Sequence, residues 1–345
     1  MLRALAFGGG TFVAVGDSGI ALTSSNALAW TSASTGITNS LFGVANGNGI
    51  FVAVGSAGII LTSADGVNWA PQSSGTIKQL TAVAWTPVGF VAVGRGATIL
   101  ASPDGTNWAA QTAATSADFI GVGSGFGQVY IGADANPPAF FWSTNGSNWQ
   151  YLNLAIYLQP DLFNGNFVAG NGTVLGVQIR GQFLRSTNGA TWTSAMNNAG
   201  MVYCFGLAFA RGQFVTVGGN FQSPGRTIGT STNGLKWQVR YNKTSENRLL
   251  GVAYGAHRFV AVGDGGGILV SDPLLWFTRP AAISGELHAT LNAEPGTPYH
   301  ILVATNLSQT VWNDLGSVTN TDEADDIILP FSQNNPGAFY RVATP

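Results

Sequence analysis

A seven-residue turn motif, Ser/Thr-x-Asp/Asn-Gly-x-x-Trp, recurs along most of this chain and limits the folds that the chain can form. Its five full copies and two degenerate ones end at Trp30, Trp69, Trp108, Trp149, Trp192, Trp237 and Trp276. Successive tryptophans are 39, 39, 41, 43, 45 and 39 residues apart. A repeat of this length suits the four-stranded blade of a β-propeller, so the spacing predicts seven blades.

The chemistry of the motif indicates a tight corner between two strands. Glycine adopts positive φ without penalty, the Asx side chain accepts nearby backbone N–H groups, and the Trp can fold back over the hairpin. A sugar-stacking Trp and a metal-binding Asp are the alternatives, but Asn replaces Asp in three copies, which would cost a metal site its charge and leaves a turn intact. We therefore predict structural turns at Asp65, Gly66, Trp69, Asp104, Gly105, Trp108, Asn145, Gly146, Trp149, Asn188, Gly189, Trp192, Asn233, Gly234 and Trp237.

The composition supports many short strands with tight corners. Of 345 residues, 45% are hydrophobic, 9% are charged and 47 are glycine, against about 25% charged and about 7% glycine in average proteins. The net charge is −2, and the lysines and arginines form no dense cluster, so we do not expect nucleic acid as a partner. No apolar run approaches the roughly 18 residues that span a bilayer.

The second repeat shows how one blade is laid out. It reads LFGVANG, IFVAVG and IILTS, then the turn ADGVN, then WAPQSS, which we interpret as four strands. Near-copies of FVAVG at 12–16, 51–55, 90–94 and 259–263 are the second strands of their blades. The first strand, rich in Gly and Ala, suits the crowded centre of a radial array. The predicted fold class is all-β, a seven-bladed β-propeller over residues 1–277.

These repeats resemble two groups of known propellers. The turns resemble the Asp-box, or BNR, repeats of sialidase-like propellers, and the pattern FVAVGxxGxIxxSxDGxxW is similar to the repeats of photosystem II assembly factor type and of bacterial surface propellers. The resemblance covers residues 1 to about 277 and implies the propeller fold. It implies no particular activity, because the repeat residues serve blade geometry and the superfamily hosts unrelated functions.

The repeat stops near Phe277, and Arg279-Pro280 marks a joint. Alternating apolar residues and turn signals in residues 278–345 predict a small antiparallel β-sandwich. The segments PGTPY, ATNLSQTVW and FYRV resemble C-terminal modules of bacterial secreted proteins. The acidic run at 321–326 lacks the alternating spacing and the glycine of a calcium loop, so we interpret it as a solvated loop.

The location of the protein is inferred from what surrounds the repeats. Strand-like sequence follows Met1 directly, without the charged and apolar regions of a signal peptide. Either the protein is cytoplasmic or its true start is missing. The repeat opens partway through its pattern and the C-terminal module resembles secreted ones, so we expect an extracellular or cell-surface protein with a truncated start. Cys204 is the only cysteine in the sequence, so no internal disulfide can form, and its apolar neighbours predict a buried thiol.

Polar residues recur beside the connection between the second and third strands of each repeat. In a propeller this connection lies on the face opposite the Asx-Gly corners, so one residue from each blade would ring the channel mouth: Asp17, Ser56, Arg95, Asp134, Arg180, Asn220 and Asp264. We take all of these except Ser56 as candidate ligand-binding residues. Asp17 and Asp264 belong to the first and last blades, so together they could hold a cation or a sugar hydroxyl. The alternative is that they are ordinary polar residues of exposed turns.

The residues that catalysis needs are scarce. A sialidase-like enzyme requires an arginine cluster, a carboxylic acid and usually a Tyr with a Glu partner, and other glycosidases need two carboxylates beside the bond. The predicted propeller has one Glu, Glu246, and the three histidines stand outside any metal-ligand spacing. We predict no catalytic residue, metal or cofactor. The expected function is a noncatalytic, monomeric binding or scaffold module for glycan or protein ligands; the alternatives are a sialidase-like or other glycoside hydrolase and a photosystem-type assembly factor.

Overall fold

Short antiparallel β-strands make up almost all of the structure, a computed structural model of the chain, and the predicted all-β class is confirmed. The structure describes residues 1–135, 139–152, 163–178, 182–196, 203–219, 225–243, 246–271, 276–283, 286–292, 298–304, 311–319, 324–329 and 339–343.

Six successive four-stranded sheets occupy the described residues from 2 to 243, each with its strands in chain order. Sheets 1 and 2 contain β1 (Leu2–Gly8), β2 (Thr11–Gly16), β3 (Ala21–Ser24), β4 (Thr31–Ala33), β5 (Leu41–Gly47), β6 (Ile50–Gly55), β7 (Ile60–Ser63) and β8 (Ala70–Gln72). Sheets 3 and 4 contain β9 (Leu80–Thr86), β10 (Gly89–Gly94), β11 (Thr98–Ser102), β12 (Ala109–Gln111), β13 (Asp118–Gly125), β14 (Gln128–Asp134), β15 (Ala139–Ser143) and β16 (Gln150–Tyr151). Sheets 5 and 6 contain β17 (Phe163–Gly170), β18 (Thr173–Gln178), β19 (Gln182–Ser186), β20 (Thr193–Met196), β21 (Cys204–Ala210), β22 (Gln213–Gly219), β23 (Arg226–Ser231) and β24 (Gln238–Lys243).

A seventh sheet completes a ring. It contains β25 (Leu249–Gly255), β26 (Arg258–Gly263) and β27 (Ile268–Val270). The first strands of the seven sheets contact one another in order, and β25 contacts β1, so the ring closes by packing of first strands. The number of blades stays a prediction, because no fourth strand of sheet 7 occurs among the described residues.

The segment expected to form the fourth strand of the seventh blade lies in another sheet. Trp276 begins β28 (Trp276–Ile283), which pairs with β29 (Glu286–Asn292) so that Trp276 lies opposite Asn292. This corrects the expectation that Trp276 leads a blade strand. In the copy SDPLLW, Pro273 stands where the five full copies have glycine, and proline cannot adopt the positive φ that Gly66 has in its turn, so the sequence here disfavours a tight corner.

Contacts divide the chain into two compact units, Met1–Gly255 with Phe259–Val270 and Ala256–Arg258 with Ser271–Pro345. The boundary predicted from the sequence, at 277/278, falls inside β28. The second unit continues with β30 (Pro298–Ala304), β31 (Asn313–Thr319), β32 (Ala324–Leu329) and β33 (Phe339–Ala343). Strand β29 lies between β28 and β32 in one sheet, and β30 lies between β31 and β33 in the other. Ala289, Ile301 and Leu329, from both sheets, share one buried cluster.

The second strand of each sheet is apolar at almost every position because both of its faces are covered. Phe51, Val52, Ala53 and Val54 of β6 are at most 1% exposed. Residues of β6 belong to two clusters, one shared with sheet 1 and one shared with sheet 3. Burial on both faces removes the alternation of polar and apolar residues that a half-exposed strand shows.

The turn before the fourth strand is held by short-range hydrogen bonds. In sheet 2 the Oδ1 atom of Asp65 accepts the backbone N–H groups of Val67 and Asn68, each at 2.8 Å. The indole Nε1 of Trp69 donates to the carbonyl oxygen of Gly66 at 2.9 Å. Every one of these bonds joins residues two or three apart, so the motif carries its own hydrogen-bond partners.

The copies with asparagine keep the same bonds. Asn145 Oδ1 accepts the N–H groups of Ser147 and Asn148 at 3.0 and 2.9 Å. The glycine is required for two reasons, which Gly66 illustrates. Its φ is +77°, and a Cβ there would lie 2.5 Å from Cγ2 of Val13 in the preceding sheet. The turn therefore also packs one sheet against its neighbour.

The two aspartate turns make acid stability testable. Backbone N–H donors, from Asn68 to Asp65 and from Asn107 to Asp104, hold the pKa of each carboxyl well below its usual range. A carboxyl whose pKa is lowered on folding contributes stability above about pH 4, and that stability is lost as the pH falls. The double variant Asp65→Asn/Asp104→Asn keeps the acceptor and does not titrate.

We expect this variant to be less stable than the wild type at pH 7, because it lacks the ionised acceptors, and to lose less stability between about pH 4 and pH 2. Thermal unfolding followed by circular dichroism at several pH values measures the difference. Parallel pH dependences of the two proteins would contradict the assigned role of the carboxylates.

Candidate functional site

The candidate residues Asp17 and Asp264 lie in tight turns after the second strands of sheets 1 and 7. Three such connections are 3₁₀ turns, Asp17–Gly19, Ser56–Gly58 and Asp264–Gly266. The backbone N–H of Asp17 donates to the carbonyl oxygen of Met1, and that of Asp264 donates to Arg248, each at 3.0 Å. Each turn also contacts the first strand of the following sheet. Both carboxylates are thereby brought to the same end of the ring of first strands.

Asp17 is engaged by an arginine of the first strand. Arg3 Nε, in β1, lies 2.5 Å from Asp17 Oδ1, and the amino group of Met1 lies 3.8 Å from Oδ2. Burial by itself raises the pKa of Asp17, but the hydrogen bond and charge of Arg3 outweigh it, and the pKa lies below its usual value. The guanidinium carbon of Arg3 lies 5.0 Å from the ring centroid of Phe42 in sheet 2, a cation–π distance.

Asp264 has the same kind of partner. Arg248 precedes β25, and its Nε lies 2.7 Å from Asp264 Oδ2. The guanidinium carbon of Arg248 is 5.9 Å from the ring centroid of Phe205 in sheet 6. Asp264 Oδ1 is buried and has no hydrogen-bond partner in the described part of the chain. Sheets 7 and 1 are neighbours in the ring, so two arginine–aspartate pairs stand side by side, flanked by one phenylalanine on each side.

The other candidate residues are distributed differently. The side chain of Arg95 is exposed, and its backbone N–H donates to the carbonyl oxygen of Gln79 at 2.9 Å. Asp134 is exposed at the end of β14. Arg180 and Asn220 lie outside the described residues. The structure thus brings Asp17 and Asp264 to adjacent sheets and shows both already bound to arginines.

The first strands enclose a central channel of ≈ 360 Å³. Its described lining is apolar or glycine except for Arg3, Thr81, Ser124 and Asn166. Thr81 Oγ1 lies 2.7 Å from the carbonyl oxygen of Phe119, in the next sheet, so its hydroxyl ties neighbouring sheets together. Arg3 is the one charged side chain among the described lining residues. Charge in the channel is therefore concentrated at the mouth that holds the arginine–aspartate pairs.

Glycines in the first strands allow the close packing that leaves so narrow a channel. A Cβ at Gly43 would lie 3.1 Å from Cα of Ala82 in the next sheet, and one at Gly251 would lie 3.2 Å from Cα of Ala4. A larger side chain at either position would press on backbone that cannot move away.

Sequence reasoning missed Arg3 and Arg248. Arg3 is the second residue of β1, and Arg248 directly precedes β25, so the two occupy different positions in the repeat. A signal existed in the sequence. In two repeats an Asp, Asp17 or Asp264, directly follows the last Gly of the second strand, and each of these repeats also has an arginine, 14 residues before Asp17 and 16 residues before Asp264. Other repeats place Ser56 or Arg95 there and have no such arginine.

Glu246 is held by several donors in sheet 6 and the connection that follows. Tyr241 Oη lies 3.0 and 2.9 Å from the two carboxylate oxygens, Arg226 Nη1 lies 3.0 Å away and Lys243 Nζ 3.4 Å away. The Tyr241 hydrogen bond, with the charges of Lys243 and Arg226, lowers the pKa of Glu246 despite the opposing effect of desolvation. Glu246 is therefore an ionised acceptor at neutral pH.

Other chemistry-bearing groups are sparse in the described residues. Within them, no group of three or more His, Cys, Asp or Glu side chains could hold a metal ion. Cys204 is buried, as predicted, and burial raises the pKa of its thiol to about 11. No helix in the described part of the chain is long and apolar enough to span a membrane.

Comparisons with solved structures identify the fold. YCF48 bound to D1 peptide aligns with a TM-score of 0.59 and 13% identity, over 78% of this chain and 90% of that chain. YCF48 from Cyanidioschyzon merolae gives 0.58 and 16%, over 79% and 95%. Virginiamycin B lyase from Staphylococcus aureus gives 0.66 and 10%, over 77% and 93%. These similarities confirm the predicted β-propeller, and at such identities they show the fold alone. No protein-family model and no curated protein matches the chain.

Proposed function

We propose that this propeller is a noncatalytic binding module whose ligand is a protein segment carrying a carboxylate, held at the channel mouth by Arg3 and Arg248. The observation that carries the proposal is the pairing of both arginines with mouth aspartates through Nε. A guanidinium has five N–H donors in a planar fork, and an Nε anchor fixes the orientation of that fork. Oriented forks of this kind suit a carboxylate.

The state of the aspartates favours binding over catalysis. A general acid needs a carboxyl whose pKa is raised toward the operating pH. Asp17 has a lowered pKa, and its hydrogen bond and ion pair with Arg3 stabilise the charged form. Asp264 makes the equivalent ion pair with Arg248. We therefore assign both aspartates the task of positioning arginines.

The choice of a protein segment over a glycan draws on the neighbouring structures. YCF48, which shares the propeller fold, was solved with a bound D1 peptide. A peptide reaching a channel of ≈ 360 Å³ would meet Phe42 and Phe205 beside the two arginines. An acidic side chain or a chain terminus would thus find a charged contact next to an aromatic one. An assembly-factor role of the photosystem type is one form of this proposal.

A sialidase-like hydrolase is the second candidate, and one observation favours it. Tyr241 and Glu246 form a hydrogen-bonded pair with Arg226 beside them, which are residue types that such an enzyme uses. Tyr241, however, belongs to β24, the fourth strand of its sheet, whereas the channel is lined by first strands. The pair therefore lies outside the channel lining, near the turn that holds Asp264. Binding remains the better-supported function, because both mouth aspartates are ion-paired with arginines.

The test screens the wild type and the variants Arg3→Gln and Arg248→Gln against arrays of acidic and C-terminal peptides and of glycans. Losing one charged hydrogen-bond donor should weaken binding of a selected peptide about 10- to 100-fold. Arg185→Gln, a substitution away from the mouth, is the control and should leave affinity unchanged. Turnover of a fluorogenic sialoside that disappears with Tyr241→Phe or Asp17→Asn would overturn the proposal in favour of the enzyme.

We further propose that the protein acts at the cell surface or outside the cell, as a monomer made of a propeller that ends at Val270 and a small β-sandwich module that begins at Ser271. Support comes from the likeness of the C-terminal segments to modules of secreted proteins and from the two compact units. Light scattering after size exclusion should give the mass of one chain, 35.7 kDa. A dimer mass at micromolar concentration would contradict the monomer.

A further inference from the structure

Beyond the channel mouth, a groove runs across sheets 2 and 3. One cavity of ≈ 670 Å³ lies between the turn 57–59 and residues 72–78, and another of ≈ 520 Å³ lies between the same loop and the outer part of sheet 3. Both are lined by Ser73 and Gly75, so they adjoin each other at this loop. Each volume falls in the roughly 300–1,000 Å³ range of small-molecule sites. We call the adjoining cavities the loop-73 groove.

The lining of the loop-73 groove is polar and almost free of charge. Hydroxyl and amide groups line it at Gln72, Ser73, Ser74, Thr76, Thr106 and Asn107. No carboxylate lines it, and its one cation, Lys78, donates from Nζ to the carbonyl oxygen of Gly96 at 3.0 Å. A lining with these groups suits an uncharged ligand rich in hydroxyls and disfavours phosphate or a strongly charged peptide.

One wall of the groove is a rigid aromatic ring. Trp108 is half-buried, and its Nε1 donates to the carbonyl oxygen of Gly105 at 2.8 Å. The ring also packs beside the core shared by sheets 2 and 3. Its one polar atom is therefore used internally, and the part of the ring that lines the cavity, next to Pro103, is apolar. An ordered indole loses little entropy when a flat apolar surface packs on it.

The amide beside this ring is also held in place. Asn107 Nδ2 donates to Asp104 Oδ2 at 3.0 Å and lies 3.1 Å from Thr106 Oγ1. The donor side of the Asn107 amide is thereby occupied, and its carbonyl oxygen is the acceptor left for a ligand. A sugar ring has an apolar C–H face and a rim of hydroxyls. The indole face matches the C–H face, and the fixed amide and the nearby hydroxyls match the rim.

We propose that the loop-73 groove binds an uncharged oligosaccharide, with one sugar ring packed on Trp108 and neighbouring residues contacting the hydroxyls and amides of residues 72–76. The site differs from the carboxylate site at the channel mouth. The Trp of the turn motif therefore serves two purposes in sheet 3, closing the hairpin through its N–H and presenting its face to the ligand.

The experiment uses the full chain and a panel of neutral tetrasaccharides, namely cello-, laminari-, xylo-, manno- and maltotetraose. Saturation-transfer NMR detects binding and calorimetry measures affinity. We expect at least one of these to bind and Trp108→Phe to weaken it roughly 2- to 12-fold, the size of an aromatic packing term. Trp69→Phe makes the same change in the equivalent turn of sheet 2 and should leave affinity unchanged.

A second variant does not depend on the turn. Ser73 is exposed in the loop, so Ser73→Arg should fold normally, fill the groove and abolish binding. The proposal is overturned if none of the five sugars binds at a concentration of about 10 mM, since any Kd would then be weaker than the millimolar range. Binding that survives Ser73→Arg, or an acidic peptide whose binding that variant blocks, overturns it as well. Arg3→Gln should leave sugar binding intact, so this site and the channel mouth succeed or fail separately.

Discussion

Trp237→Ala is expected to destabilise the propeller by about 3–5 kcal/mol, the usual cost of removing a buried large aromatic. Trp237 is 4% exposed, and its ring stacks on Phe183 with centroids 4.4 Å apart and an interplanar angle of 14°. Its Nε1 donates to the carbonyl oxygen of Gly234 at 3.2 Å. The variant loses the stacked pair and leaves a cavity between sheets 5 and 6. Urea or thermal unfolding of the purified variant measures the cost.

Trp108→Ala is the matched control for this prediction. The motif places Trp108 and Trp237 at the same position, and the sequence alone suggests equal losses. Trp108 is half-buried, so we expect its replacement to cost clearly less than that of Trp237. Equal destabilisation by the two variants would show that the turn hydrogen bond, which both residues make, outweighs burial.

Gly55→Ala is expected to cost about 2–4 kcal/mol, because it adds a methyl group where backbone already stands. A Cβ at Gly55 would overlap the carbonyl oxygen of Ser40. That oxygen accepts the N–H of Ser56 at 3.0 Å, so moving it away also breaks the bond that closes the turn. The φ of Gly55 is −163°, which any residue adopts, so the requirement for glycine is one of space.

Gly49→Asn tests whether any glycine substitution in this sheet has the same effect. Gly49 has a φ of +78°, which asparagine tolerates better than other residues, and a Cβ there meets nothing within 4 Å. We expect a cost of about 1 kcal/mol, that of a non-glycine residue at positive φ, and so a smaller loss than that of Gly55→Ala. If Gly55→Ala were equally mild, the carbonyl of Ser40 would have to shift freely, and the turn after β6 would be less constrained than its contacts indicate.

The same glycine occurs in other repeats, and this links the fold to the site. A Cβ at Gly16 would overlap the carbonyl oxygen of Met1, and one at Gly263 would overlap that of Arg248. Each glycine lets its turn reach the start of the first strand, where Asp17 or Asp264 meets its arginine. The geometry of the proposed carboxylate site therefore depends on a residue that the repeat requires for packing.

Several features were predictable because their causes are local or periodic. The tryptophan spacing predicted propeller blades, and the uniformly apolar FVAVG segments predicted strands buried on both faces. The hydrogen bonds of the Asp65 turn span three residues at most, so the motif contains their donors and acceptors in full. The proline in place of glycine before Trp276 was also visible in the sequence, but the regular spacing outweighed it and led to a wrong assignment of that strand.

From the sequence alone, the repeat, the all-β fold and the turn chemistry followed, because hydrogen bonds between near neighbours and burial on both faces leave a regular pattern along the chain. Only the tertiary structure decided which arginines meet Asp17 and Asp264 at the channel mouth. The ion pair of Arg3 with Asp17 spans 14 residues, and closure of the ring sets this pair beside the one formed by Arg248 and Asp264, more than 200 residues away along the chain. Ion pairs of this kind depend on how the sheets pack around the ring. Sheet packing produces no periodic pattern in the sequence at these positions.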